Sequence, residues 1–138
     1  MSWPTSIAVE FRHCDPAGIV FFPRYFEMAN TVVERFFAAE LGRSFAAMIA
    51  GGNGSPTARI AAEFHRPSRL GDVLDFDLAV TRIGRTSAAY RVLGRCGGEG
   101  RLTVEAVLVW TDAAGRPEPW PADLRAGLHR HLEGGGDG

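Results

Sequence analysis

Residues 13–26 read His-Cys-Asp-Pro-Ala-Gly-Ile-Val-Phe-Phe-Pro-Arg-Tyr-Phe, which sets an imidazole, a thiol and a carboxylate against a run of aromatics. Asp15 is the residue of interest. Ile19-Val20-Phe21-Phe22 follows it and is apolar, so the carboxylate would stand at the rim of a pocket with little competing water. The segment then feeds the N-terminus of a helix, whose unpaired N–H groups and dipole favour developing negative charge. A carboxylate that supplies or activates a nucleophile, beside amides that receive an oxyanion, is an arrangement for acyl transfer. The plain alternative is a corner: Asp15-Pro16-Ala17-Gly18 also meets the preferences of a type I turn.

Other reactive residues carry less. His13 and Cys14 are adjacent near a strand end and point in opposite directions, so they do not read as a nucleophile pair. His129 and His131 are two apart on a helical stretch and share no face. With His65 the remaining imidazole outside the turn, no zinc site is expected. Glu27 or Glu34 could place a carboxylate on the helix instead, but Glu34 beside Arg35 reads as the solvated side. Glu63 also reads as solvated. All 15 basic residues are Arg, so no lysine is present to form a Schiff base. Gly51-Gly52-Asn53-Gly54 lacks the strand-before, helix-after context of a nucleotide loop. It reads as a flexible loop, a possible lid.

The elements that must position Asp15 follow from periodicity. Residues 6–12 alternate, with Ile7, Val9 and Phe11 on one face, and predict a first strand. From Phe22 the step becomes three or four through Phe26, Ala29, Val33, Phe37 and Leu41. That is a helix of roughly five turns, opened by Pro23 and stopped at Gly42. Strand-like runs follow at 57–65, 72–83, 86–96 and 100–112, joined by short turns. Their order suggests an antiparallel meander of four strands, and residues 124–132 suggest a short closing helix. Strands segregated from a long helix make an α+β chain, a curved sheet of about five strands around one buried helix. One domain is expected over 1–133, with a disordered tail at 134–138.

Composition sets the outer limits. At 138 residues, 46% hydrophobic and 22% charged, the chain suits one globular domain with a real core. A formal net charge of −1 supplies no field toward nucleic acid or an anionic membrane, and neither is expected as a partner. Cys14 and Cys96 are too few for a disulfide scaffold and fit a reducing compartment. The N-terminus lacks a signal-peptide pattern and no apolar run reaches 18 residues, so a cytoplasmic protein is expected.

Val9 to Asn30, and above all Asp-Pro-Ala-Gly-Ile-Val-Phe-Phe-Pro-x-Tyr, resembles the opening of the 4-hydroxybenzoyl-CoA thioesterase family of hotdog-fold proteins. Ser55-Pro56, Arg66 to Asp72 and Gly84 to Ser87 agree in order, so the resemblance covers about residues 5–112. It implies an acyl-CoA thioesterase, releasing free acid and CoA from an aromatic (4-hydroxybenzoyl-like) or short-chain acyl-CoA. Asp15 matches the catalytic nucleophile or general base, and the backbone N–H of Phe22 matches the oxyanion donor. Gly18 would let the backbone pack closely, and Phe21, Phe22, Tyr25 and Phe26 would shape the acyl pocket. Arg85, and more weakly Arg82, match positions that meet CoA phosphates. No metal or cofactor is implied, CoA being part of the substrate. Family members are dimers or tetramers with composite sites, so a homodimer or homotetramer is expected. A non-catalytic acyl-binding or assembly protein, or a hydratase of the same fold, are the other readings.

Overall fold

The computed structural model describes residues 2–134, so the expected tail, apart from Gly134, lies outside the described residues. The chain runs β1 (Trp3–Ala8), a 3-10 turn (Phe11–His13), α1 (Pro23–Ala39), α2 (Phe45–Ala50), β2 (Thr57–Phe64), β3 (Val73–Ile83), β4 (Ser87–Cys96), β5 (Glu99–Val109) and α3 (Ala122–Arg130). The five strands form one antiparallel sheet in the order β1-β3-β4-β5-β2. This is the expected α+β hotdog architecture.

Alternation fixes which side of the sheet is covered. Leu74, Phe76, Leu78 and Val80 of β3 are buried, as are Tyr90 and Val92 of β4 and Leu102, Val104 and Ala106 of β5. These residues share one face, because side chains alternate along a strand and the registers pair Val80 with Tyr90 and Tyr90 with Ala106. Against that face lies α1. Its Met28, Ala29, Val32, Val33, Phe36 and Phe37 are each no more than 2% exposed, so the helix is a core element. Pro23 occupies its first turn, and Gly42 beyond its end takes φ +68°.

Three expectations need correction. The strands are not a four-strand meander: β3-β4-β5 is one, but β2 pairs with β5 at the far edge. Short turns join β3 to β4 (residues 84–86) and β4 to β5 (residues 97–98), whereas residues 65–72 make a longer connector that crosses the sheet end. The first strand covers Trp3–Ala8 rather than 6–12, and Phe11 is 83% exposed instead of core-facing. There Glu10 N–H donates to His13 Nδ1 at 2.8 Å and winds the chain into the 3-10 turn. Finally, α2 was not anticipated, although Ser44 caps it by accepting from Ala47 N–H at 3.0 Å.

Candidate active site

The segment carrying Asp15 is a small looped ladder. Cys14 bridges Val20, Asp15 N–H donates to Ile19 O at 3.0 Å, and Phe21 N–H donates to His13 O at 2.9 Å. At its tip, Gly18 N–H donates to Asp15 O at 2.9 Å, closing the turn. The side chain of Asp15 joins in, its Oδ1 accepting from Ala17 N–H at 2.9 Å. Turn and carboxylate are therefore one unit, with the Asp15 side chain built into the corner. Gly18 is required for a different reason than close packing. A β-carbon there would meet nothing within 4 Å, but φ is +80°, which L side chains rarely adopt.

Phe22 stands immediately before α1, and among the described residues no acceptor takes its N–H. Pro23 has none to offer, so that amide is the free donor at the helix mouth. Around it the aromatics converge on a residue the sequence reading passed over, Phe64 at the end of β2. Tyr25 stacks on Phe64 with centroids 5.3 Å apart, and Phe22 and Phe26 approach it at 6.1 and 6.2 Å. Phe21 meets Phe22 edge-on at 5.9 Å. Alternation in β2 does place Ile60, Ala62 and Phe64 on one face, and that was the signal available.

Val20, Phe22, Tyr25, Phe64, His65, Arg66 and Pro67 line a cleft of about 250 Å³. Asp15 is not part of its wall in the single chain. Ligand pockets usually run from about 300 Å³ upward, so this cleft is small for an acyl group with its thioester.

The remaining candidates separate clearly. His13 is buried, and its pKa is lowered, first by burial and then by the Arg12 charge. Its Nδ1 accepts a hydrogen bond, which fixes the neutral tautomer with the proton on Nε2. Glu27 is exposed and paired with Arg24 at 2.9 Å, and Glu34 and Glu63 are exposed. His131 is buried while His129 is exposed. The 51–54 loop is tied down rather than free: Asn53 Nδ2 donates to Thr111 O at 3.0 Å and Glu118 Oε1 at 2.8 Å.

Arg82 and Arg85 are not brought to Asp15. Both are exposed and have no ion-pair partner among the described residues, at the end of β3 and in the turn after it. The Asp15 loop meets the other end, through Ile19 against Arg69 and Val9 N–H on Asp72 O. The two ends of β3 are separated by roughly 33 Å of extended strand.

A single sheet curled around one buried helix, with a carboxylate turn leading into the helix mouth, defines the hotdog class of acyl-thioester proteins. A model of the thioesterase-like superfamily matches residues 9–128, and the chain belongs to that superfamily. By class it is a thioester hydrolase. Among solved structures it is similar to a gentisyl-coenzyme A thioesterase (21% identity, TM-score 0.85, covering 91% of this chain and 99% of that one). It is also similar to a 1,4-dihydroxy-2-naphthoyl-CoA thioesterase from Synechocystis (17% identity, TM-score 0.85, coverage 93% and 96%). A third likeness is to a Staphylococcus aureus protein solved in complex with CoA (14% identity, TM-score 0.87, coverage 96% and 86%). No curated protein matches the sequence. Among the described residues no helix is long and apolar enough to cross a membrane.

Proposed function

We propose that the protein hydrolyses an aromatic acyl-CoA thioester, with Asp15 as the working carboxylate and the Phe22 N–H as the oxyanion donor. The observation that carries this reading is the unit formed by the Asp15 turn and the free Phe22 amide at the mouth of α1. Attack on the thioester carbonyl, by Asp15 or by a water it deprotonates, puts negative charge on the carbonyl oxygen. The Phe22 N–H, reinforced by the helix dipole, would donate a hydrogen bond to that oxygen as the charge develops. Collapse of the adduct breaks the C–S bond, and the CoA thiolate leaves and takes up a proton; where Asp15 itself attacked, a water then cleaves the resulting anhydride, releasing the acid and restoring the carboxylate. The reaction needs no cofactor. A ring rather than an alkyl chain is favoured by the three aromatics meeting at Phe64, and two similar solved structures are thioesterases of aromatic acyl-CoAs.

A second copy completes the site in this reading. The outer edge of β2 is unpaired within the chain, and Ile60, Phe64 and Phe22 are 43%, 45% and 56% exposed, an apolar patch that a lone subunit would leave wet. Antiparallel pairing of two β2 edges lays the Asp15 end of one sheet beside the Arg85 end of the other. Arg82 and Arg85 of that second copy then supply cations for the CoA phosphates. The two free cysteines suit a cytoplasmic setting.

Thiol release from a panel of aryl- and alkyl-CoA thioesters, with and without Asp15→Asn, tests the proposal. Asn keeps the Oδ1 acceptor for Ala17 N–H, so the turn survives the change. The expected loss in kcat is ~10²–10⁴-fold, the usual contribution of a positioned general base. Undiminished turnover would remove Asp15 from the mechanism. Single turnover in ¹⁸O-water separates its two roles, since label enters the Asp15 carboxylate only if that group is the nucleophile.

A further inference from the structure

The Asp15 ladder leans on the β2–β3 connector, residues 65–72. Val20 N–H donates to Ser68 O at 2.9 Å, Leu70 N–H donates to Gly18 O at 3.3 Å, and Ile19 bridges Arg69. The connector in turn is gripped from β5 by one guanidinium. Arg101 Nη1 donates to Asp72 Oδ2 at 2.8 Å, to Ser68 Oγ at 3.1 Å and to Pro67 O at 3.2 Å. Its Nε donates to Glu99 Oε1 at 2.8 Å, and its main-chain carbonyl accepts from His65 N–H at 2.8 Å. Asp72 Oδ2 also accepts from Arg69 N–H at 2.9 Å.

This is not an ordinary surface pair. The Arg101 side chain is 13% exposed and Ser68 is fully buried, so the bonds compete with little water. A bond that only closed a strand end would involve the strands. Here every acceptor of Nη1 belongs to the connector, and the connector's other side meets the ladder at Gly18, Ile19 and Val20, within five residues of the Asp15 carboxylate. The ladder's remaining ties are mostly its own internal rungs, so the connector sets its place relative to α1.

We infer that Arg101 and Asp72 are positioning residues for the Asp15 turn: their ion pair fixes the connector, and the connector's main-chain contacts fix the carboxylate against the helix mouth. This rests on Asp15 being the working group. Neither residue lines the aromatic cleft, so its effect should fall on kcat more than on KM.

The test uses Asp72→Asn, Arg101→Gln and Arg101→Lys in the full chain, read by aryl-CoA kinetics and by amide hydrogen exchange without substrate. Asn at 72 keeps an acceptor in place and guards against simple misfolding. Misplacing a reacting group by about 1 Å can cost ~10²-fold. The expected result is a 10- to 100-fold fall in kcat for D72N and R101Q, with KM within about threefold. R101K should recover part of it, because an ammonium can reach Asp72 but not all three acceptors. Exchange at Gly18, Val20 and Leu70 should quicken about tenfold or more, while amides of β3, β4 and β5 stay slow. Wild-type kcat, unchanged exchange at those three amides, or exchange raised equally throughout the sheet would each overturn the inference. Should Asp15→Asn keep its turnover, the site assignment fails separately, and the three amides still judge whether the clamp holds the turn.

Discussion

Asp15 has two carboxylate oxygens and its own turn holds one of them, through Ala17 N–H. In the proposed mechanism the second is the reacting oxygen, and the Asx geometry limits where it can swing. In the same proposal Phe64 complements it on the substrate side. As the ring that Phe22, Tyr25 and Phe26 all meet, it is the specificity residue we expect for an aromatic acyl group. Phe64→Ala should raise KM for aryl-CoA substrates about tenfold, in line with the ~0.5–1.5 kcal/mol of an aromatic pair plus lost apolar contact. KM for short alkyl thioesters should move less; equal shifts in both series would show that Phe64 does not read the ring. The neighbourhood of Phe22 and Tyr25 was legible because one local run contains them. Phe64 was not, since it joins them across the sheet and only the β5–β2 pairing carries it there.

Elements were legible where one period ruled. The seventeen residues of α1 follow a single apolar stripe, and Gly42 turns the chain three residues past its end. Alternation over-ran the end of β1, because a hydrophobicity pattern does not register the bond from Glu10 N–H to His13. The place of β2 in the sheet was hidden for a related reason: strand order depends on where a connector crosses, and the 65–72 connector is held by Arg101, a contact from far along the chain. The 3-10 turn and α3 also set an acid limit on stability. His13 and His131 both have lowered pKa values, chiefly from burial, with Arg12 adding at His13; at His131, Glu40 opposes and Arg130 adds. In the unfolded chain each titrates near 6.5, so between that pH and the lower folded value the unfolded state binds more protons. Stability is therefore complete above about pH 6.5 and declines as pH falls below it. Thermal melts from pH 8 to pH 5 should show this fall, and His131→Phe, which places a second ring against Phe36, should flatten it. A slope unchanged in that variant would assign the acid limit elsewhere.

At the scale of the molecule, the covered face of the sheet is core and the other face is not. Asp75, Asp77, Arg91 and Arg95 lie on the uncovered side, with Arg95 and Asp77 3.6 Å apart, so that face can stay wet. In the proposed dimer, the apolar surface that the partner covers lies at the β2 edge and the aromatic cleft. That division was partly readable as clean alternation in β3. The edge that stays open was not, because it follows from strand order.

The separation of Asp15 and Arg85 to opposite ends of β3 has a consequence in genetics. If each site takes its carboxylate from one chain and its cations from the other, two defective alleles can rescue one another. Asp15→Asn and Arg85→Ala homodimers would each be impaired. Dissociated and reassociated together in equal amounts, they would yield half heterodimers, each with one intact site and one doubly altered. About one quarter of wild-type activity should return, and a mixture that stays inactive while its mass confirms exchanged subunits would mean each chain works alone.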